Sequence, residues 1–155
     1  MSYDLMVFRK EAAPTSRSAF MNWYENQTEW SEPHGYDDPA KTSPKLRDWF
    51  MEIIKTFPAM NGPYASDDDE ENDFLTDYSI GNDVIYIGFS WSVAEKAYHT
   101  VLELAEKHGV GFFDVSSDNG DIFFPLTSGK LEILKDDSES ATSSRKEAKP
   151  WWKIW

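Results

Sequence analysis

A β-hairpin is the pattern that most constrains the fold of this chain. Two strand-like runs, 74–80 and 83–89, are rich in aromatic and β-branched residues. Only Gly81-Asn82 separates them, and such a pair is typical of a two-residue turn. Helical patterns precede and follow this segment, so the sequence predicts helices packed on a sheet with antiparallel pairing.

Three segments have helical patterns. The clearest begins at Ser43-Pro44, where a capping residue precedes proline, and ends before Pro58. A second follows Ser16, and a third begins at Ser92, which with Glu95 matches a capping box. In the clearest segment the apolar residues recur at helical spacing; they are Leu46, Trp49, Phe50, Ile53, Ile54 and Phe57.

The order of elements predicts an α+β fold. A strand over 3–8 comes first, and short strands over 110–115, 122–124 and 131–134 follow the last helix. Without one extra helix the order is β-α-β-β-α-β, which predicts a two-layer, ferredoxin-like (split βαβ) sandwich with an antiparallel sheet. Its helices are expected on one face, and the other face is expected to stay open. Strand order cannot be read from sequence, so another α+β two-layer sandwich is the alternative.

Charge and composition divide the chain into three segments. Residues 1–135 hold 24 acidic and 11 basic side chains, which accounts for the net charge of −13, and we expect them to form one domain. Residues 136–149 are rich in Ser, Glu and Lys and are expected to be a flexible linker. Residues 150–155, Pro-Trp-Trp-Lys-Ile-Trp, form an aromatic-basic motif at the C-terminus.

The composition argues against several classes of function. A charge of −13 disfavours nucleic acid and anionic membranes as partners, because both are polyanions. The absence of cysteine excludes disulfides and thiolate metal sites. We find neither a membrane-spanning run nor a signal peptide at the N-terminus, so we expect a cytoplasmic protein.

No motif indicates catalysis, a metal or a cofactor, and we expect a protein that is not an enzyme. The acidic run 67–73 fails as a calcium loop, because its sixth residue is asparagine and not glycine. Aspartates near strand ends, including Asp114, Asp118 and Asp121, are common turn residues. The alternative is a small metal-dependent hydrolase that uses clustered carboxylates or His99; its candidate residues are Asp77, Asp83 and His99.

Acidic and tryptophan side chains are the best candidates for binding a protein partner. The acidic run would attract a basic partner, and exposed tryptophans would anchor it. The C-terminal tryptophans have three interpretations: they dock on their own domain, bind another protein or contact a membrane interface. The predicted partner-binding residues are Trp30, Asp67, Asp68, Asp69, Glu70, Glu71, Asp73, Trp91, Trp151, Trp152 and Trp155.

Three segments resemble a known group of proteins. They are the start Met1-Ser-Tyr-Asp-Leu, the segment 57–63 (Phe-Pro-Ala-Met-Asn-Gly-Pro), and Thr76–Ile80 with the helix and strand of 91–111. Together they resemble small acidic bacterial proteins of unassigned activity, some of which look like immunity proteins of contact-dependent or polymorphic toxin systems. The resemblance implies a toxin-neutralising protein whose partner is a basic toxin domain. An adaptor that recruits its partner through the Trp-rich tail is a further alternative.

Overall fold

The computed structural model describes residues 2–32, 35–66 and 72–134. The predicted linker 136–149, the motif 150–155 and residues 67–71 of the acidic run lie outside these ranges. Within them the chain forms three α-helices and six β-strands. In chain order these are β1 (Tyr3–Phe8), α1 (Arg17–Gln27), α2 (Pro44–Ile53), β2 (Asp77–Ile80), β3 (Val84–Phe89), α3 (Ala94–His108), β4 (Gly111–Phe113), β5 (Ile122–Pro125) and β6 (Leu131–Ile133).

The sheet is antiparallel, with the strand order β2-β3-β1-β4-β5-β6. Strand β3 separates β1 from β2, and β1 separates β3 from β4, so each helical crossover skips one strand. This is the split βαβ arrangement, and β5 and β6 extend it at one edge. The predicted α+β class and the antiparallel sheet are confirmed. The predicted hairpin is present, but its two-residue turn is Asn82-Asp83 and not Gly81-Asn82, because Ile80 lies opposite Ile85 and the Gly81 N–H donates to the Val84 carbonyl at 2.8 Å.

Helices α2 and α3 cover one face of the sheet, as the helical patterns predict. The apolar positions of α2 are buried against the inward side chains of β1 and β3, such as Leu5 and Ile87. Helix α2 ends at Ile53, one turn before the predicted end, although Phe57 is still buried. Pro58 contributes to the difference, because it has no N–H to donate to the Ile54 carbonyl and its ring clashes with that carbonyl in a helix.

The opposite face is not open, contrary to the expectation, because the extra helix α1 packs on it. Phe20 of α1 is fully buried, and its ring lies 5.1 Å from that of Phe8 and 5.3 Å from that of Phe113. The physical reason lies in β1, which is apolar on both faces: Leu5 packs under α2 and α3, while Met6 and Phe8 face α1. Exposing Met6 and Phe8 to water would be unfavourable, so this second face of the sheet also has to be covered.

Candidate functional site

A groove lies at the end of the sheet where β1 and β2 begin and β3 ends. Its volume is about 720 Å³, which is within the range of about 300–1,000 Å³ that is common for ligand sites. Most of the side chains around it are small or polar. They are Ser2, Met60, Ser66, Asn72, Asp73, Leu75, Asp77, Gly88, Phe89 and Ser90.

Gly88 forms the floor of the groove between two aspartates. In the antiparallel register Gly88 lies opposite Asp4 on β1 and opposite Asp77 on β2. Cα atoms of paired antiparallel residues are about 5 Å apart, so the Cα atoms of the two aspartates are about 10 Å apart. A Cβ atom at Gly88 would lie 3.4 Å from Ser2 Oγ and 3.6 Å from Asp4 Oδ1. The space left by the missing side chain is therefore bordered by Ser2 and Asp4, and Asp77 lies on the next strand.

The charge of the groove is negative. Its lining includes the exposed Asp73 and Asp77 and, among the described residues, neither lysine nor arginine. Asp4 beneath it accepts hydrogen bonds from the Ser2 hydroxyl and, at 2.6 Å, from the Tyr86 hydroxyl. Burial and this hydrogen bond raise the pKa of Tyr86 far above its ordinary value, so the phenol keeps its proton.

One of the predicted partner-binding residues lines this groove, and a second follows a lining residue in the chain. Asp73 lines it and accepts a 3.0 Å hydrogen bond from Ser92 Oγ. Trp91 follows the lining residue Ser90, is 39% exposed, and has its ring 5.1 Å from that of Tyr3. Ser92 is not the helix cap that the sequence predicts, since α3 begins at Ala94 after a 3-10 turn over Trp91–Val93.

Trp30 has a packing role. Its indole is half-buried and lies edge-on to Tyr36 at 5.0 Å and to Tyr86 at 6.3 Å. Its backbone adopts a φ of 51°, in the left-handed region that non-glycine residues seldom occupy. Trp30 therefore closes the edge of the core beside Tyr86. The remaining predicted residues, Asp67, Asp68, Asp69, Glu70, Glu71, Trp151, Trp152 and Trp155, lie outside the described residues.

The residues proposed for a hydrolase do not meet. Asp77 and Asp83 lie at opposite ends of the β2–β3 hairpin, and Asp83 pairs with Arg9 at 2.8 Å. His99 belongs to α3, on the other face of the sheet from Asp77. Within the described ranges, no three histidine or acidic side chains are grouped so as to hold a metal ion.

A second acidic pair is buried where β4 ends and β5 begins. Asp114 and Asp121 flank the β4–β5 turn, and the Asp114 N–H donates to the Asp121 carbonyl at 2.9 Å. Asp114 is only 3% exposed, and its Oδ1 has no hydrogen-bond partner among the described residues. Burial, together with the charge of Asp121, raises the pKa of Asp114 to about 7. Burial and then Asp114 also raise the pKa values of Tyr3 and Tyr98.

Sequence reasoning missed the residues that shape the groove. Asp4 could have been noticed in the sequence, because it is the one charged residue in an otherwise apolar strand. Gly88 is a weaker indication, since glycine inside a strand often marks a place where another group approaches closely. Neither signal could be interpreted without the strand order that puts Asp4, Gly88 and Asp77 side by side.

Comparisons with protein-family models, with curated proteins and with solved structures find no match. Across the described ranges, no helix has both the length and the apolar character needed to cross a bilayer. The groove and its charges are therefore the basis on which a function is proposed.

Proposed function

We propose that this protein binds another protein through the acidic groove, most concretely as a cytoplasmic immunity protein that neutralises a basic toxin domain. The observation that carries the proposal is the groove over Gly88, whose lining contains the exposed carboxylates of Asp73 and Asp77 and, among the described residues, no cation. A lysine or arginine side chain of a partner would fit it in both shape and charge. Phosphate-bearing ligands would be repelled.

Apolar side chains beside the groove favour a protein partner over a small cation. Met60 lines the groove and is 51% exposed, and Trp91 is 39% exposed beside the lining residue Ser90. Methionine and aromatic residues are enriched in protein interfaces, where they supply anchors around polar contacts. A basic segment with apolar neighbours would contact both the carboxylates and this rim.

The acidic run adds charge near the groove. Ser66 and Asn72 both line the groove, and residues 67–71 connect them. Each of these five acidic residues is within three positions in the sequence of a lining residue. Such a concentration of carboxylates would accelerate encounter with a basic partner at low ionic strength.

Neutralising the groove should slow association with the partner. The gene next to the one that encodes this protein is the place to look for the candidate toxin. We expect Asp73→Asn combined with Asp77→Asn to lower the association rate about tenfold at low salt and to flatten its salt dependence. Stopped-flow fluorescence measures both quantities.

A matched pair of substitutions controls for the change in net charge. Asp48→Asn with Glu106→Gln removes the same charge from exposed positions of α2 and α3. This control should associate at nearly the wild-type rate. Equal slowing in both double variants would contradict binding at the groove, as would the absence of any effect.

Filling the floor of the groove should weaken the complex without unfolding the protein. A Cβ atom at Gly88 makes only ordinary contacts, and β-branched residues are favoured in strands. We therefore expect Gly88→Ala to bind the partner more weakly than wild type, and Gly88→Val more weakly still. For Gly88→Val the affinity should be at least about tenfold below that of wild type. Calorimetric titration measures the affinity, and circular dichroism checks the fold. Full affinity of a folded Gly88→Val variant would place the partner elsewhere.

A further inference from the structure

We propose that the chain's own C-terminal segment, residues 145–155, occupies the acidic groove when no partner is bound. The inference rests on the proposed function, because it takes the groove to be a receptor for a basic segment with apolar residues. It goes further by naming an occupant that every copy of the protein carries and with which a partner would compete.

The segment complements the groove in charge and in apolar character. Residues 145–155 contain four basic residues, one acidic residue and three tryptophans. The groove offers Asp73 and Asp77 as acceptors and Met60 as an exposed apolar side chain. Trp91 follows the lining residue Ser90 in the chain and is 39% exposed, so its indole is the nearest exposed tryptophan along the chain on which an indole of the segment can pack. The described part of the chain thus offers the segment both kinds of contact that it needs.

Strand β6 runs towards the end of the sheet that carries the groove. The Leu134 N–H donates to the Ile122 carbonyl, Ile122 lies opposite Phe113, and Phe113 lies opposite Met6. Continuing past Leu134 in the same direction corresponds to moving along β1 from Met6 towards its start. That is the end of the sheet at which Gly88 forms the floor of the groove.

The remaining distance is within reach of the ten residues between β6 and the segment 145–155. Strand β6 is four strand positions from β3 in the sheet, which at about 4.8 Å per position is about 19 Å. Ten residues, 135–144, connect Leu134 to Arg145. A chain of that length spans at most about 33 Å, so it can cross the sheet edge and leave residues 145–155 free to bind. Connection through these ten residues gives an effective concentration of about millimolar.

Zero-length crosslinking of the full chain tests the contact directly. A carbodiimide joins carboxylates to amines that touch, and mass spectrometry identifies the pairs. We expect Lys149 or Lys153 to be joined to Asp73 or Asp77 in the monomeric fraction. Replacing Trp151, Trp152 and Trp155 by serine should reduce these products at least fivefold. Equal crosslinking of the two lysines to the control carboxylates Asp48 and Glu106 would overturn the proposal.

Mixing isotopically labelled and unlabelled protein identifies which copy supplies the segment. Crosslinks within one copy support occupancy by the chain's own segment. Crosslinks between labelled and unlabelled copies would overturn it and would indicate exchange of the segment in a dimer.

Competition with the partner separates this inference from the proposed function. If the segment binds with a dissociation constant of about 0.1 mM at an effective concentration of about 1 mM, it lowers partner affinity about tenfold. The triple serine variant should therefore bind the candidate toxin about tenfold more tightly than wild type. Unchanged affinity in that variant, with the Asp73 and Asp77 effect retained, would overturn only the role of the segment. Loss of the Asp73 and Asp77 effect would overturn the proposed function itself.

Discussion

Replacing Asp114 by asparagine should stabilise the protein by up to about 4 kcal/mol at pH 8. The pKa of this buried carboxyl is raised from 3.8 to about 7, and each pKa unit corresponds to about 1.4 kcal/mol. Asparagine has nearly the same shape and carries no charge, so it removes the cost of ionising a group that is 3% exposed. Chemical denaturation at a series of pH values measures the free energy of unfolding.

The direction of the pH dependence follows from which state holds the proton. Below about pH 4 the Asp114 carboxyl is protonated in both states and contributes no difference. Between about pH 4 and pH 7 the unfolded chain releases the proton while the folded protein retains it. The stability of the wild-type protein should therefore decrease as the pH rises through this interval. Above pH 7 both states are ionised and the full cost remains.

Two variants check that the effect belongs to the buried pair. Asp121→Asn removes the neighbouring charge, the second cause of the raised pKa, and should move the loss of stability to lower pH. Asp118→Asn alters an exposed residue of the same turn and should leave the pH profile unchanged. A wild-type profile retained in Asp114→Asn would show that another group produces the pH dependence.

The parts of this fold that were predictable depend on local patterns. The Leu46–Ile53 stripe and the glycine that ends α3 each involve residues close in sequence. The hairpin was predicted in the same way, although its turn lies one residue later than the pattern indicates. Gly109 follows α3 with a φ of 70°, a conformation that favours glycine, so its place in the sequence marks the end of the helix. Such signals also gave the element order and with it the α+β class.

The groove could not be predicted, because it depends on pairing between distant residues. Asp4 and Gly88 are opposite each other across 84 positions, and no local pattern identifies the strand that β1 will pair with. The location of α1 was missed for a similar reason. Its apolar residues fit packing on either face of a sheet, and only the apolar character of Met6 and Phe8 on the second face decides between them.

Replacing Phe20 by alanine should destabilise the protein by about 3–5 kcal/mol, the usual cost of deleting a buried phenyl ring from a core. The ring is fully buried where α1 meets the sheet and lies within 5.5 Å of those of Phe8, Trp23 and Phe113. Because the surrounding aromatic rings cannot collapse into the space left behind, a cavity adds to the loss of apolar burial. Thermal and chemical denaturation measure the change.

A comparison with an exposed apolar residue separates core packing from general loss of hydrophobicity. Leu126 is 43% exposed in the turn between β5 and β6, so Leu126→Ala should change stability by less than about 0.5 kcal/mol. Phe20→Leu should restore much of the stability, since it refills most of the volume. If Phe20→Ala were as stable as Leu126→Ala, helix α1 would not be packed on the sheet in solution. The second face would then be open, as the sequence pattern alone predicts.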